Sequence, residues 1–185
     1  MGGGSSIFTQ QELSDYQELT YFTKKEIHHV FRRFESLAAN NGKEVTKQTK
    51  LSHDDLFSLP ELSVNPFQDR IVKVFSSSDD TKMSFEDFLD MMSVFSDNAP
   101  LSIKTEYAFR IYDFDEDDMI GRGDLHKVID RLTGDQKLGE SDMEQLIDSI
   151  MDEADLDNDD ALSFAEFEHV ATKNPEFMTS FRIRL

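Results

Sequence analysis

Apolar side chains recur every three or four residues along most of this chain, in blocks separated by short polar stretches. This spacing places them on one face of a helix and predicts an all-α protein. Two pairs of blocks stand out in the C-terminal half. One pair, around residues 113–124, consists of Ala108, Phe109, Ile111 and Tyr112, then Leu125, Val128, Ile129 and Leu132. The other, around residues 155–166, consists of Leu146, Ile147, Ile150 and Met151, then Phe167 and Val170. We therefore expect two helix–loop–helix units here, with a capping box of Ser141 and Glu144 at the start of the helix before residue 155.

The two polar stretches between these blocks are each 12 residues long and rich in Asp; we call them acidic loop 1 (residues 113–124) and acidic loop 2 (residues 155–166). A hard cation such as Ca²⁺ takes six to eight oxygen ligands. An EF-hand loop supplies them from positions 1, 3, 5, 7, 9 and 12, position 7 through its carbonyl. In acidic loop 2 these positions are Asp155, Asp157, Asp159, Ala161, Ser163 and Glu166. Because Glu166 can offer both of its oxygens, this loop is predicted to bind Ca²⁺.

Acidic loop 1 has the same pattern with two departures. Its six positions are Asp113, Asp115, Asp117, Met119 (through its carbonyl), Gly121 and Asp124. Gly121 has no side-chain oxygen, so water is expected at position 9, and Asp124 is one methylene shorter than Glu. Six ligands are then easier to supply than seven, so this loop is expected to accept Mg²⁺ and to bind Ca²⁺ more weakly. Position 6, where Gly is usual, is Asp118 in this loop and Asp160 in the other, which predicts some loss of affinity in both.

Composition supports a cation-binding protein and argues against several other classes. The net charge is −19, and binding to nucleic acid phosphates requires Lys and Arg instead. There is no Cys, so a disulfide framework and a thiolate metal site are ruled out, which fits the cytoplasm. No apolar run approaches the roughly 20 residues that span a bilayer. No nucleophile or phosphate-binding motif of an enzyme is found, and we expect a non-enzymatic protein.

Weaker versions of the same repeat precede residue 100. Thr23 and Glu26 form a capping box for a helix whose apolar face is Ile27, Val30, Phe31, Phe34 and Leu37. The polar segment 38–52 that follows is longer than a standard loop. Asn65 and Pro66 then open another helix, which leads into a 12-residue stretch at 76–87. Among ligand positions 1, 3 and 5 of that stretch, only position 5, Asp80, is a carboxylate, and the stretch is expected to hold no ion.

The predicted architecture is four EF-hand repeats in two paired lobes, with a degenerate N-terminal pair. We expect a leading segment at 1–22, the N-terminal pair at 23–97, the C-terminal pair at 98–174 and an apolar extension at 175–185. The N-terminus matches the myristoylation pattern, with Gly2 as the acceptor. A single myristoyl group binds membranes only marginally, so a second anchor is expected for peripheral membrane association. The apolar extension either completes the core or occupies a groove that a target helix also uses.

Several short motifs together resemble the calcium- and integrin-binding protein family over almost the full length. They are Asp15-Tyr16-Gln17, Leu59-Pro60-Glu61-Leu62, Asn65-Pro66-Phe67, 84–90, 93–96, 107–111, and Pro175-Glu176-Phe177 with Phe181. The resemblance implies a myristoylated regulator without enzymatic activity that holds Ca²⁺ or Mg²⁺ in its last two hands. It also implies that the partners are amphipathic helices, notably membrane-proximal integrin α-subunit cytoplasmic tails, and several kinases.

The leading functional hypothesis is a Ca²⁺- and Mg²⁺-responsive adaptor whose C-terminal lobe binds such a helix. The expected groove residues are Ile111, Leu125, Val128, Leu132, Leu146, Ile147 and Ile150. The alternative is a constitutive subunit of a membrane transporter or phosphatase, of the calcineurin-B-homologous type, in which the metal is structural. A simple Ca²⁺ buffer is disfavoured, because a buffer needs neither a lipid signal nor an apolar C-terminus.

Overall fold

The computed structural model describes residues 7–39, 42, 45–78, 80 and 82–174. Within these ranges the chain forms ten helices and one two-stranded sheet, so the predicted all-α class is confirmed. The helices are α1 (Gln10–Leu19), α2 (Lys24–Ala39), α3 (His53–Phe57), α4 (Pro60–Ser63), α5 (Gln68–Phe75), α6 (Phe85–Val94), α7 (Leu101–Tyr112), α8 (Arg122–Thr133), α9 (Glu140–Ala154) and α10 (Phe164–Lys173). The strands are β1 (Ile120–Gly121) and β2 (Ala161–Leu162). The predicted lipid acceptor Gly2 and the predicted extension at 175–185 lie outside the described residues.

The described residues fall into two compact units. The N-terminal unit contains residues 7–63 and 75–99, and the C-terminal unit contains residues 64–74 and 100–174. Most of α5 therefore belongs to the C-terminal unit, although the repeat pattern assigns it to the N-terminal pair. The division into the repeat pairs 23–97 and 98–174 stays a prediction. None of the helices in the described ranges is both long and apolar enough to cross a bilayer.

An aromatic core holds the N-terminal unit together. Phe31 and Phe34 from α2 meet Phe85 and Phe88 from α6, with ring centroids 5.0 Å apart for Phe31 and Phe85 and 5.7 Å apart for Phe34 and Phe88. Phe8 stacks on Phe85 at 5.2 Å, and all five rings are buried. Edge-to-face and offset contacts of this kind add to the hydrophobic gain from burying large rings. This apolar packing therefore contributes to the stability of the unit.

The loops of the N-terminal unit pair with each other as EF-hand loops do. Leu51 and Met83 exchange two main-chain hydrogen bonds, of 2.8 and 3.0 Å, and both side chains are fully buried. Met83 is position 8 of the predicted loop 76–87, so Leu51 takes the equivalent position in the preceding hand. Each is followed by a capping box, Ser52 with Asp55 and Ser84 with Asp87. This arrangement is consistent with a degenerate N-terminal EF-hand pair.

Helix starts agree with the sequence analysis in the N-terminal unit and differ in the C-terminal unit. The Thr23 amide donates to Glu26 at 2.8 Å, as the predicted capping box requires. The predicted cap at Ser141 is wrong. The Met143 amide donates to the Gly139 carbonyl at 2.9 Å, so the helix already begins at Glu140 and Ser141 lies inside its first turn.

Candidate metal centre

Three carboxylates converge in each acidic loop. Oxygens of Asp113, Asp115 and Asp117 all lie within 4.8 Å of one another. The same holds for Asp155, Asp157 and Asp159. These six residues are the predicted ligands at positions 1, 3 and 5, so the structure brings each predicted set together.

The aspartate at position 1 organises each loop through its own turn. The Oδ1 atom of Asp113 accepts the amides of Glu116 at 2.8 Å and Asp117 at 3.3 Å, and its Oδ2 atom accepts the amide of Asp118 at 3.0 Å. Asp155 accepts the three equivalent amides of acidic loop 2 at 2.7, 3.3 and 3.0 Å. The two loops therefore share one hydrogen-bond framework, which curls the chain around the carboxylates.

Two positions in each loop have left-handed backbone conformations. The first is position 6, where φ is 66° at Asp118 and 65° at Asp160. This agrees with the expectation from the Gly that usually occupies position 6 of an EF-hand loop. The second is position 4, at Glu116 (62°) and Asn158 (60°), which the sequence analysis missed. Asn and Asp tolerate this region better than most residues, so the Asn at position 4 of acidic loop 2 was the available signal. Glu116 carried no such signal.

The carboxylates at position 12 differ between the loops. Both oxygens of Asp124 accept amides, from Phe114 at 3.0 Å and Gly121 at 3.2 Å. Burial raises the pKa of Asp124 above its usual value. Glu166 accepts the Leu156 amide at 2.8 Å, and the hydroxyl and amide of Ser163 hold its pKa below the usual range. Burial thus disfavours the ionised form of Asp124, whereas hydrogen bonding favours the ionised form of Glu166.

The remaining predicted ligand positions adjoin the short sheet. Met119 and Ala161, which would each offer a carbonyl, lie beside and within the β1–β2 pairing, where Ile120 faces Leu162. The Ser163 hydroxyl donates to Glu166 at 2.7 Å and caps α10. Position 9 of acidic loop 2 is thus occupied by helix capping, which favours water over the hydroxyl as the ligand there.

The donor set of each loop fits a hard divalent cation. It consists entirely of carboxylate and carbonyl oxygens, the ligand type that Ca²⁺ and Mg²⁺ prefer. Desolvation, followed by repulsion from Asp159, Glu166 and Asp155, raises the pKa of Asp157. Like charges crowded in this way are stabilised by a cation among them.

Polar groups at ligand positions of the loop at 76–87 are bound by other groups of the protein. The Ser76 hydroxyl donates to the Lys82 carbonyl at 2.8 Å, which joins positions 1 and 7 directly. The ammonium group of Lys50 lies 3.0 Å from the Ser78 hydroxyl and 3.6 Å from the Asp80 carboxylate, at positions 3 and 5. The Lys50 ammonium group therefore stands beside the one carboxylate at ligand positions 1, 3 and 5, which supports the expectation that this loop holds no ion.

An apolar groove of about 720 Å³ lies beside the acidic loops in the C-terminal unit. Three of the seven predicted partner residues line it: Leu125, Val128 and Ile150. The rest of its lining is mostly apolar, with two polar residues: Tyr112, Ile120, Ala154, Leu162, Phe167, Val170, Ala171, Lys173 and Asn174.

The other four predicted partner residues lie elsewhere. Ile111 and Ile147 are buried in the core of the unit. Leu132 and Leu146 are 56% and 39% exposed and do not line the groove. The predicted partner surface as a whole stays a prediction.

Asp124→Glu is expected to shift the preference of acidic loop 1 from Mg²⁺ towards Ca²⁺ by about tenfold, because a longer side chain can offer both oxygens to a larger ion. Calorimetric titration with each ion measures the ratio of affinities. Asp130→Glu, which lengthens a carboxylate on the same helix outside the loop, is the control. An unchanged Ca²⁺/Mg²⁺ ratio in Asp124→Glu would contradict the expectation.

Comparison with known proteins places this geometry in context. The family model for an EF-hand domain pair matches residues 104–172. The chain is 43% identical over 190 residues to calcium and integrin-binding family member 2 of Drosophila melanogaster. It is 39% identical over 188 residues to human member 2 and 38% identical over 188 residues to human member 3. Each of these alignments covers the whole chain and the whole relative.

Proposed function

Because the chain belongs to the calcium and integrin-binding protein family, a group of calcium-binding regulatory proteins rather than enzymes, we propose that it is a Ca²⁺- and Mg²⁺-binding adaptor. Its C-terminal unit takes up an amphipathic helix from a partner, of the kind found in integrin α-subunit cytoplasmic tails or in kinases. A myristoyl group at Gly2, together with a second anchor, gives the protein a peripheral association with membranes.

The observation that carries this proposal is the position of the groove between the helices that enter and leave both acidic loops. Val128 belongs to the helix after acidic loop 1, Ile150 to the helix before acidic loop 2, and Phe167 to the helix after it. Any change in the direction of these helices alters the width of the groove. A groove lined by aliphatic and aromatic side chains suits the apolar face of a helix.

The acidic loops supply the dependence on metal. Asp113, Asp115 and Asp117 repel one another, and a bound divalent cation would supply the positive charge that holds them together. Once its carboxylates are held together by the ion, acidic loop 1 would fix the end of α7 and the start of α8. Exposure of an apolar groove through ordered loops is the established way in which EF-hand pairs act as sensors.

Titration calorimetry with an amphipathic integrin α-tail peptide tests the proposal. The peptide is expected to bind at least tenfold more tightly in Ca²⁺ or Mg²⁺ than in chelator, because only the loaded loops hold the groove helices in place. A peptide with its apolar residues scrambled is the matched control. Equal affinity with and without metal would contradict the switch and point to the constitutive-subunit alternative instead. Failure of the peptide to bind in any condition would refute the adaptor function.

A further inference from the structure

Arg70 is a buried arginine that no part of the metal-binding pattern includes. It lies on α5 in the C-terminal unit, outside the matched EF-hand pair, and it is only 5% exposed. A guanidinium group carries five N–H donors and a permanent charge, so its burial is tolerated only where acceptors surround it. The acceptors of Arg70 show what it does.

Three of these acceptors are main-chain carbonyls at the end of α7. Arg70 donates through Nε to the Ile111 carbonyl at 3.2 Å and through Nη2 to the Arg110 carbonyl at 3.0 Å. Nη2 also donates to the carbonyl of Asp113. The last carbonyls of a helix have no partner within it, and the partial negative charge there favours a cation. Arg70 thus caps the helix that enters acidic loop 1.

The fourth acceptor lies inside the loop. Nη1 of Arg70 donates at 3.0 Å to Glu116, the residue with left-handed backbone at position 4. Glu116 also contacts Lys73 at 2.5 Å, and Lys73 together with Arg70 holds the pKa of this carboxyl below its usual range. The Arg70 guanidinium further lies 5.4 Å from the centre of the Phe114 ring, at position 2.

We propose that Arg70 is a positioning residue for acidic loop 1, and that its guanidinium fixes the loop by joining the end of α7 to position 4. Asp113 carries the argument, because its carbonyl is bound by Arg70 while its carboxylate is the first predicted ligand. The inference rests on the proposed metal binding by this loop. It adds an outer residue, from a helix outside the pair, that sets the affinity of one loop and not of the other.

Charge and positioning predict opposite signs for the loss of Arg70. A positive charge near a cation site repels the ion, so removal of the charge alone would strengthen binding. Loss of the guanidinium group removes its hydrogen bonds to the carbonyls of Arg110, Ile111 and Asp113 and frees the loop, which weakens metal binding. Replacement of outer partners that orient ligands costs about 10- to 100-fold in metal affinity.

The experiment follows the amides of Asp118 and Asp160 by NMR during Ca²⁺ titration of the full chain. These equivalent amides donate to Asp113 and Asp155, so each reports on its own loop. Arg70→Met is expected to weaken Ca²⁺ binding at acidic loop 1 by about 10- to 100-fold and to change acidic loop 2 far less. Arg70→Lys is expected to behave like Arg70→Met, because an ammonium group keeps the charge but lacks the planar fork.

Lys73→Met is the matched control. It removes a neighbouring cation that contacts Glu116 from the same helix, and it leaves the carbonyl contacts of Arg70 intact, so affinity is expected to stay within about twofold. In the wild-type protein, the Nε–H resonance of Arg70 is expected to be protected from exchange and to shift together with the Asp118 amide. A group with only a general structural role would not follow that amide.

Weaker Ca²⁺ binding at acidic loop 1, with acidic loop 2 little changed, in both Arg70→Met and Arg70→Lys supports the proposal. Wild-type affinity in Arg70→Lys, tighter binding in Arg70→Met, or equal loss at both loops would overturn it. An Asp118 amide that does not respond to Ca²⁺ even in the wild type would instead refute metal binding by acidic loop 1, which is the failure of the proposed function.

Discussion

Glu166→Gln is expected to weaken Ca²⁺ binding at acidic loop 2 by about 100-fold. A carboxylate at position 12 can give an ion two charged oxygens, whereas the amide gives one neutral oxygen, and the charge and number of ligands set the affinity of such loops. The substitution also disturbs the loop itself, because Glu166 accepts the amides of Leu156 and Ser163 at 2.8 and 2.9 Å.

Calorimetry together with the NMR signal of the Asp160 amide measures this loss directly. Glu168→Gln removes a carboxylate from the same helix, two residues beyond the loop, and should leave the titration unchanged. An Asp160 amide that saturates at the wild-type Ca²⁺ concentration in Glu166→Gln would show that position 12 is not a ligand.

Val128→Asp is expected to lower the affinity for an amphipathic target helix by about 100-fold in the presence of Ca²⁺. Val128 is 8% exposed and lines the groove, so a carboxylate there would have to lose water on contact with the apolar face of the bound helix. The chain contains no Trp, so the fluorescence of one Trp in the peptide reports on binding without background from Trp in the protein.

Two further variants of α8 make the result specific. His126→Asp introduces the same charge at an exposed position outside the groove lining and is expected to leave peptide affinity within about twofold. Leu132→Asp tests the predicted but exposed residue at the end of the same helix. Full affinity in Val128→Asp would exclude this groove as the binding site, whereas a loss in Leu132→Asp would show that the bound helix extends beyond it.

The convergence of the aspartates in the acidic loops could be predicted because it depends on local spacing. Positions 1, 3 and 5 of a 12-residue loop point inwards whatever surrounds them, so Asp155, Asp157 and Asp159 meet as their numbering requires. The left-handed conformation at Asp160 follows from the same local rule. Signals for the start of a helix are less reliable where several candidate residues lie close together. The helix α9 begins at Glu140, after Gly139, and not at the predicted cap Ser141.

The role of Arg70 and the extent of the groove could not be read from local pattern. Arg70 meets its acceptors 40 to 46 residues later in the chain, and a lone arginine on a helix is ordinarily exposed to solvent. Helical spacing groups Leu125, Val128 and Leu132 on one side of α8, but it does not say where the neighbouring helices end. Only their packing leaves Leu132 exposed while Val128 lines the groove.

The family was recognisable from motifs spread along the chain, and the comparisons confirm it. From those motifs alone we expect the greatest likeness to member 1; the relatives reported above are members 2 and 3. Which member shares its partners with this chain is a question for binding experiments with the groove variants.

Because Ile120 pairs with Leu162 across the two acidic loops, we expect ion binding at one loop to strengthen ion binding at the other. When one loop tightens around its ion, its strand becomes rigid, and the neighbouring strand loses part of the conformational freedom that its own ion would otherwise have to remove. The second ion should then bind to a partly prepared site, so uptake is expected to be cooperative, with a Hill coefficient above one. Damage to either loop would consequently blunt the steepness of the whole response, and the protein would answer a rise in Ca²⁺ gradually instead of over a narrow range.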